Sequence, residues 1–99
     1  MKIVAVTACP TGIAHTYMAA AQLEKIAKNL GHEIKVETQG AMGIENKLTE
    51  KDIHEAQIAI LANDIEIEGR ERFNGVKIIQ ISVQEVLKSP ESVFKKIQA

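Results

Sequence analysis

Tryptophan is absent from this 99-residue chain, and one tyrosine and two phenylalanines are its only aromatic residues. So few rings provide no stacking platform for single-stranded nucleic acid. An excess of charge of either sign is missing as well: 12 basic residues meet 13 acidic ones, for a formal charge of −1, and the basic residues are scattered. That pattern excludes the electrostatic footprint of a binder of nucleic acid or anionic lipid. The longest apolar runs, residues 17–21 and 58–62, are five residues each. A membrane-spanning helix needs about 20, and residues 1–6 are too short for a signal sequence, so the chain is expected to be soluble and cytoplasmic. Two prolines and six glycines argue against disorder or a fibrous repeat. A single cysteine forms no internal disulfide, and three separated histidines beside it lack zinc-ligand spacing. No zinc-type site is therefore expected, and no cofactor is expected.

What is present is a pattern of apolar residues whose period changes in an ordered way. At this length the expectation is one domain spanning residues 1–99. Residues 2–7 are short, apolar and β-branched, which predicts a buried strand. From Thr16, the residues Ala19, Leu23, Ile26, Ala27 and Leu30 recur at helical spacing, and Gly31 provides a left-handed stop. Residues 33–38 alternate Ile34 and Val36 with charges, as in a strand nearer a sheet edge. Residues 39–43 read as a glycine-punctuated loop. Thr49 and Asp52 have capping-box spacing, with Leu48 and Ile53 as a hydrophobic staple, so a helix starts there. Residues 57–62 form a second near-continuous apolar strand. Residues 63–75 are polar and irregular, with room for one helical turn, before a fourth strand over 76–81. Ser82 with Glu85 repeats the capping-box spacing, and Ser89-Pro90 opens a last helix carrying Val93, Phe94 and Ile97. Strands that are apolar on both faces imply helical cover on both sides. The expected architecture is α/β: a Rossmann-like three-layer sandwich around a four-stranded parallel sheet of order 2-1-3-4.

In such sheets the ligand site lies beyond the carboxyl ends of the strands, and the one cysteine falls there. Cys9, Pro10, Thr11, Gly12, Ile13, Ala14, His15 and Thr16 connect the first strand to the first helix. A helix start presents unpaired N–H groups and the positive end of its dipole, which suits an anion. Gly12 allows close backbone approach, Pro10 fixes φ, and Thr11 and Thr16 add hydroxyl donors. The same field favours a thiolate, so Cys9 is expected to be a nucleophile and Pro10 to Thr16 a phosphate cradle. In phosphatases of the cysteine-x5-arginine type, an arginine fork clamps the phosphoryl group. His15 occupies that position here and cannot form the fork. Retention and transfer of a phosphoryl group are thus favoured, with a low-molecular-weight cysteine phosphatase-like enzyme as the alternative and a non-catalytic anion-binding module as a third reading. Asp64 and Gln39, each near the end of a strand, are accessory candidates. Arg72 reads first as a surface ion pair with Glu68 or Glu71, and His32 and His54 as solvated.

The segment from Cys9 through His15-Thr16 and on to Tyr17-Met18-Ala19-Ala20 resembles the phosphorylation loop of the fructose-type B component of enzyme II of the bacterial sugar phosphotransferase system. Weaker likenesses extend along the chain, at residues 36–40, 46–49, Asp64-Ile65 and Arg72-Phe73. The resemblance implies that Cys9 accepts a phosphoryl group from a phosphohistidine on the A component. It implies onward transfer to a sugar, fructose giving fructose 1-phosphate, bound in the membrane C component. A monomer with transient contacts, visiting the inner face of the membrane, is the expected state.

Overall fold

The computed structural model describes residues 1–9, 13–40 and 43–98, with only the backbone at Ile13, Ala14 and Gln98. The elements in chain order are β1 (Lys2–Ala8), α1 (Ile13–Asn29), β2 (Glu33–Gly40), β3 (Gly43–Glu45), α2 (Glu50–Glu55), β4 (Ile58–Asn63), a 3-10 turn (Arg70–Phe73), β5 (Lys77–Ile81), α3 (Val83–Lys88) and α4 (Pro90–Gln98). The strands lie in the order β3-β2-β1-β4-β5. β1 pairs in parallel with β2 on one side and with β4 on the other, and β4 pairs in parallel with β5. These four have the relative order expected of the four strands read from the sequence.

The expectation of a four-stranded, all-parallel sheet is corrected: the sheet has five strands and is mixed. β2 runs two residues beyond Thr38, and the chain returns as β3, antiparallel, with Thr38 opposite Glu45 and Gly40 opposite Gly43. Gly43 has φ +91°, which only glycine adopts without strain. A three-residue strand is too short to display a period of two, so the stretch reads as a loop. Since β3 covers only the last part of β2, residues 33–37 remain an edge, as their charged alternation foretells.

Side chains alternate across β1 and β4, and this alternation separates two apolar layers. Ile3, Ala5, Ile58, Ile60 and Ala62 face α1, α3 and α4, where they meet Leu23, Ala27, Val86, Val93 and Phe94. Val4, Val6, Ala59 and Leu61 face the other way, onto Leu48, Ile53, Ile67 and Phe73. Cys9 continues the first set. Helix starts follow the expected chemistry. The Thr49 hydroxyl accepts from Asp52 N–H while the Asp52 carboxylate accepts from Thr49 N–H, and Ser82 Oγ accepts from Glu85 N–H. α1 begins at Ile13, a turn earlier than its apolar stripe, because its first residues belong to the loop sequence rather than to the stripe.

Candidate functional site

The carboxyl ends of β1, β2 and β4 converge on one rim of the sheet. Cys9 follows the last residue of β1, and its neighbours there are Gln39 and Gly40 at the end of β2, Gly43 and Ile44 on β3, and Ile65, Glu66 and Glu68 beyond β4. These residues line a groove of about 500 Å³. Cys9 is 6% exposed, so it both closes the apolar layer beneath α1 and borders the groove. No disulfide involves it.

Of the sequence-selected loop, Pro10, Thr11 and Gly12 lie outside the described residues. Ile13 and Ala14 open α1, His15 is exposed on its first turn, and Thr16 is buried. Thr7, buried on β1, donates its hydroxyl to the Thr16 carbonyl at 3.2 Å. This bond ties the strand to the helix across the segment that holds Cys9. Thr16 Oγ1 would lie 3.7 Å from a Cβ at position 40, so the first turn of α1 also abuts the end of β2. Tyr17, one residue on, donates its hydroxyl to the Glu45 carboxylate of β3, and that bond pushes the Tyr17 phenol above its ordinary value.

Asp64 does not turn toward the groove among the contacts seen. Its N–H donates to the Ala8 carbonyl at 3.0 Å, and its carboxylate accepts from Val83 N–H at 3.2 Å, at the start of α3. Gln39 lines the groove and is spent on its wall. Its amide donates to Glu37 at 2.7 Å and to the Glu68 carbonyl at 3.0 Å, and its carbonyl oxygen accepts from Glu68 N–H at 2.8 Å.

Behind that wall lies an arrangement the sequence reading missed. Glu37, with no accessible surface, meets Arg72 as a bidentate pair, both N–H···O distances being 2.9 Å. Glu37 accepts further bonds from Gln39 and from Leu48 N–H. Arg72 spends its remaining donors on the carbonyls of Gly69, Leu48 and Glu68. Burial pushes the Glu37 carboxyl up, but the hydrogen bonds from Arg72, Gln39 and Leu48 outweigh it and hold the group below the usual carboxylate value. Glu37 in turn raises Arg72. The expected ion pair of Arg72 with Glu68 or Glu71 is corrected: Arg72 takes the Glu68 carbonyl, and its carboxylate partner is Glu37, 35 residues away. His54 is exposed as expected, but His32 is not simply solvated. Its ring stacks on Phe94, centroids 6.3 Å apart, and both nitrogens are buried without a hydrogen-bond partner among the described residues.

Both arginines of the chain are thus committed elsewhere, Arg72 to Glu37 and Arg70 to Gln80. Neither is the fork a cysteine phosphatase requires. The comparisons with known proteins point the same way. A family model described as "PTS system, Lactose/Cellobiose specific IIB subunit" matches residues 4–96. The chain belongs to the enzyme IIB family of the sugar phosphotransferase system. The fructose-like EIIB component 2 of Escherichia coli K12 is 50% identical over 98 residues, which span 99% of this chain and 92% of that protein. The fructose-specific EIIABC component of Bacillus subtilis is 50% identical over 95 residues, 96% of this chain but 15% of that one. The solution structure of an enzyme IIB subunit from E. coli K12 superposes with a TM-score of 0.92 at 44% identity, covering 98% of this chain and 90% of that one. As an enzyme IIB of fructose-like type, the protein serves phosphoryl transfer in sugar uptake, and nothing supports the phosphatase alternative.

Proposed function

We propose that Cys9 is the phosphoryl-carrying residue and that residues 1–99 form one B-type domain built around it. The observation that carries this reading is the position of Cys9: it follows the last residue of β1 on the groove, in the connection that leads to the start of α1 at Ile13, and a helix N-terminus favours an anion. The Cys9 sulfur attacks the phosphorus of a phosphohistidine on the A component. A P–S bond forms as the P–N bond breaks, and the departing imidazole nitrogen keeps the electron pair and takes up a proton. In the second step a sugar hydroxyl attacks the phosphocysteine and gives up its proton to solvent, the P–O bond forms, the P–S bond breaks and the thiolate is regenerated. The backbone N–H groups of residues 11–16 neutralise the phosphoryl oxygens in both steps, Pro10 having none to give, while Thr11 and Thr16 add hydroxyls and His15 a further donor. Asp64, the residue after β4, supports the site only through its backbone, by donating its N–H to the Ala8 carbonyl just before Cys9. The reading involves no metal and no cofactor.

The partners are the A component as donor and the membrane C component that presents the sugar. Support comes from the Bacillus subtilis relative, whose name places A, B and C in one chain. Among the described residues no helix is long and apolar enough to cross a membrane, which suits a cytoplasmic monomer that reaches the inner face of the membrane in passing. The family model's description mentions lactose and cellobiose, whereas relatives at 44–50% identity carry fructose in their names. The reading taken here is the one those names favour, with fructose as the sugar and fructose 1-phosphate as the product. Incubation with a phosphorylated A component is expected to yield a base-stable, iodine-sensitive phosphothiol that Cys9→Ser abolishes. Label recovered on histidine would overturn the assignment.

A further inference from the structure

The wall of the groove opposite Cys9 is poorly supported by apolar packing. In the segment from Asp64 to Gly69 only Ile67 is buried, so one side chain anchors six residues to the core. The rest of the hold is polar. Gln39 grips Glu68 at both its N–H and its carbonyl, and Arg72 grips the carbonyls of Glu68 and Gly69. Both gripping side chains are themselves fixed by Glu37, which projects from β2 into the layer beneath. Glu37 and Arg72 also hold the backbone at Leu48, two residues before α2.

We propose that Glu37 and Arg72 are positioning residues for phosphoryl transfer: acting through Gln39, they set the Ile65–Glu68 wall against Cys9 and so fix the width of the groove that admits the phosphoryl donor and acceptor. This rests on the reading of Cys9 as the phosphoryl carrier. Two features set the clamp apart from a pair that merely adds stability. A buried ion pair contributes little net stability compared with an apolar pair of similar volume, whereas its geometry is specific. Five guanidinium bonds meet one carboxylate and three carbonyls from separate segments, an arrangement compatible with one register of the loop. The loop is also shaped to receive the arginine. Gly69 sits at φ +74°, and a Cβ there would come within 2.5 Å of Arg72 Nε. Glycine at 69 is thus required by the backbone conformation and by the approach of the guanidinium.

The test uses the full chain and three variants. Arg72→Lys keeps the charge but loses the fork, Gly69→Ala displaces the arginine without altering it, and Ile58→Ala, at the amino end of β4 and thus at the other end of the sheet from Cys9, serves as a control. Two quantities are read under conditions where all are folded by circular dichroism: the rate of Cys9 alkylation by a bulky maleimide, and kcat and KM for transfer from the phosphorylated A component. Arg72→Lys and Gly69→Ala are expected to speed alkylation several-fold and to lower kcat at least tenfold, while Ile58→Ala changes neither by more than twofold. Wild-type alkylation and kcat in both clamp variants would overturn the proposal, as would equal effects in the control. The alkylation result stands whichever residue carries the phosphoryl group. If wild type takes up no label on Cys9, the carrier reading fails, and faster alkylation in the clamp variants alone still shows the wall to be held by the clamp.

Discussion

Glu37 shows how a single charged residue can be kept inside the molecule. Removing a carboxylate from water is expensive, and the cost is offset here because each of its oxygens receives hydrogen bonds from Arg72 and one further donor. Its folded value lies below the ordinary 4.5, so the unfolded chain binds a proton more readily than the folded one. Its contribution to stability is therefore complete above the ordinary value and is lost as pH falls through the lowered one. Urea unfolding at neutral pH and near pH 3.5 is expected to show a steeper loss in wild type than in Glu37→Gln. At neutral pH that variant should cost about 3 kcal/mol, the low end for a broken buried pair, since Arg72 loses its counter-charge while remaining 18% exposed. A parallel pH response in the two proteins would count against Glu37 as the titrating group. At this scale the sequence was only partly readable. Cys9 could be singled out because its setting, a strand end followed by glycine and hydroxyl residues, is local. Glu37 and Arg72 could not be paired, because nothing local links residues 35 positions apart, and His32 could not be placed against Phe94 for the same reason.

Elements were the most legible level, since caps and periods are written in neighbouring residues. The box at Thr49 and Asp52 forms as its spacing requires, and Leu48 and Ile53 are buried in the same layer. Thr49→Ala is expected to lower stability by about 1 kcal/mol in urea unfolding; no change would mean that tertiary packing alone holds α2. The Asp52 carboxylate, bonded first by Lys35 and then by the backbone and hydroxyl of Thr49, is held down to about 2. A carbon-detected NMR titration is expected to place its midpoint there, and the interaction persists until pH falls from the ordinary 3.8 towards that value. A midpoint near 3.8 would show that the Lys35 pair and the cap do not persist in solution. The element that escaped the sequence reading is β3. Three residues carry no readable alternation, and the strand exists because the end of β2 offers unpaired backbone groups to whatever follows.

For the molecule as a whole, the sheet separates two apolar layers that share strands but not side chains. Leu23, fully buried beneath α1, and Phe73, fully buried beneath the 3-10 turn, belong to different layers. Leu23→Ala is expected to cost about 2–5 kcal/mol and Phe73→Ala about 3–5 kcal/mol. In the double variant the two losses are expected to add to within about 0.5 kcal/mol, because neither side chain has a partner in common with the other. A markedly smaller sum in chemical denaturation would show that the layers relax together. Sequence alone determined the class of fold, the order of the four long strands, the helix starts and the end of the sheet on which Cys9 lies, because each follows from short-range periodicity, capping and the topology of parallel crossovers. Only the tertiary structure decided that the sheet is five-stranded and mixed, that Gln39 borders the same groove as Cys9 while binding Glu68, and that Glu37 and Arg72 hold that wall. Those outcomes depend on which distant segments meet when the two layers close, and the free energy of such meetings is not encoded in any one stretch of the chain.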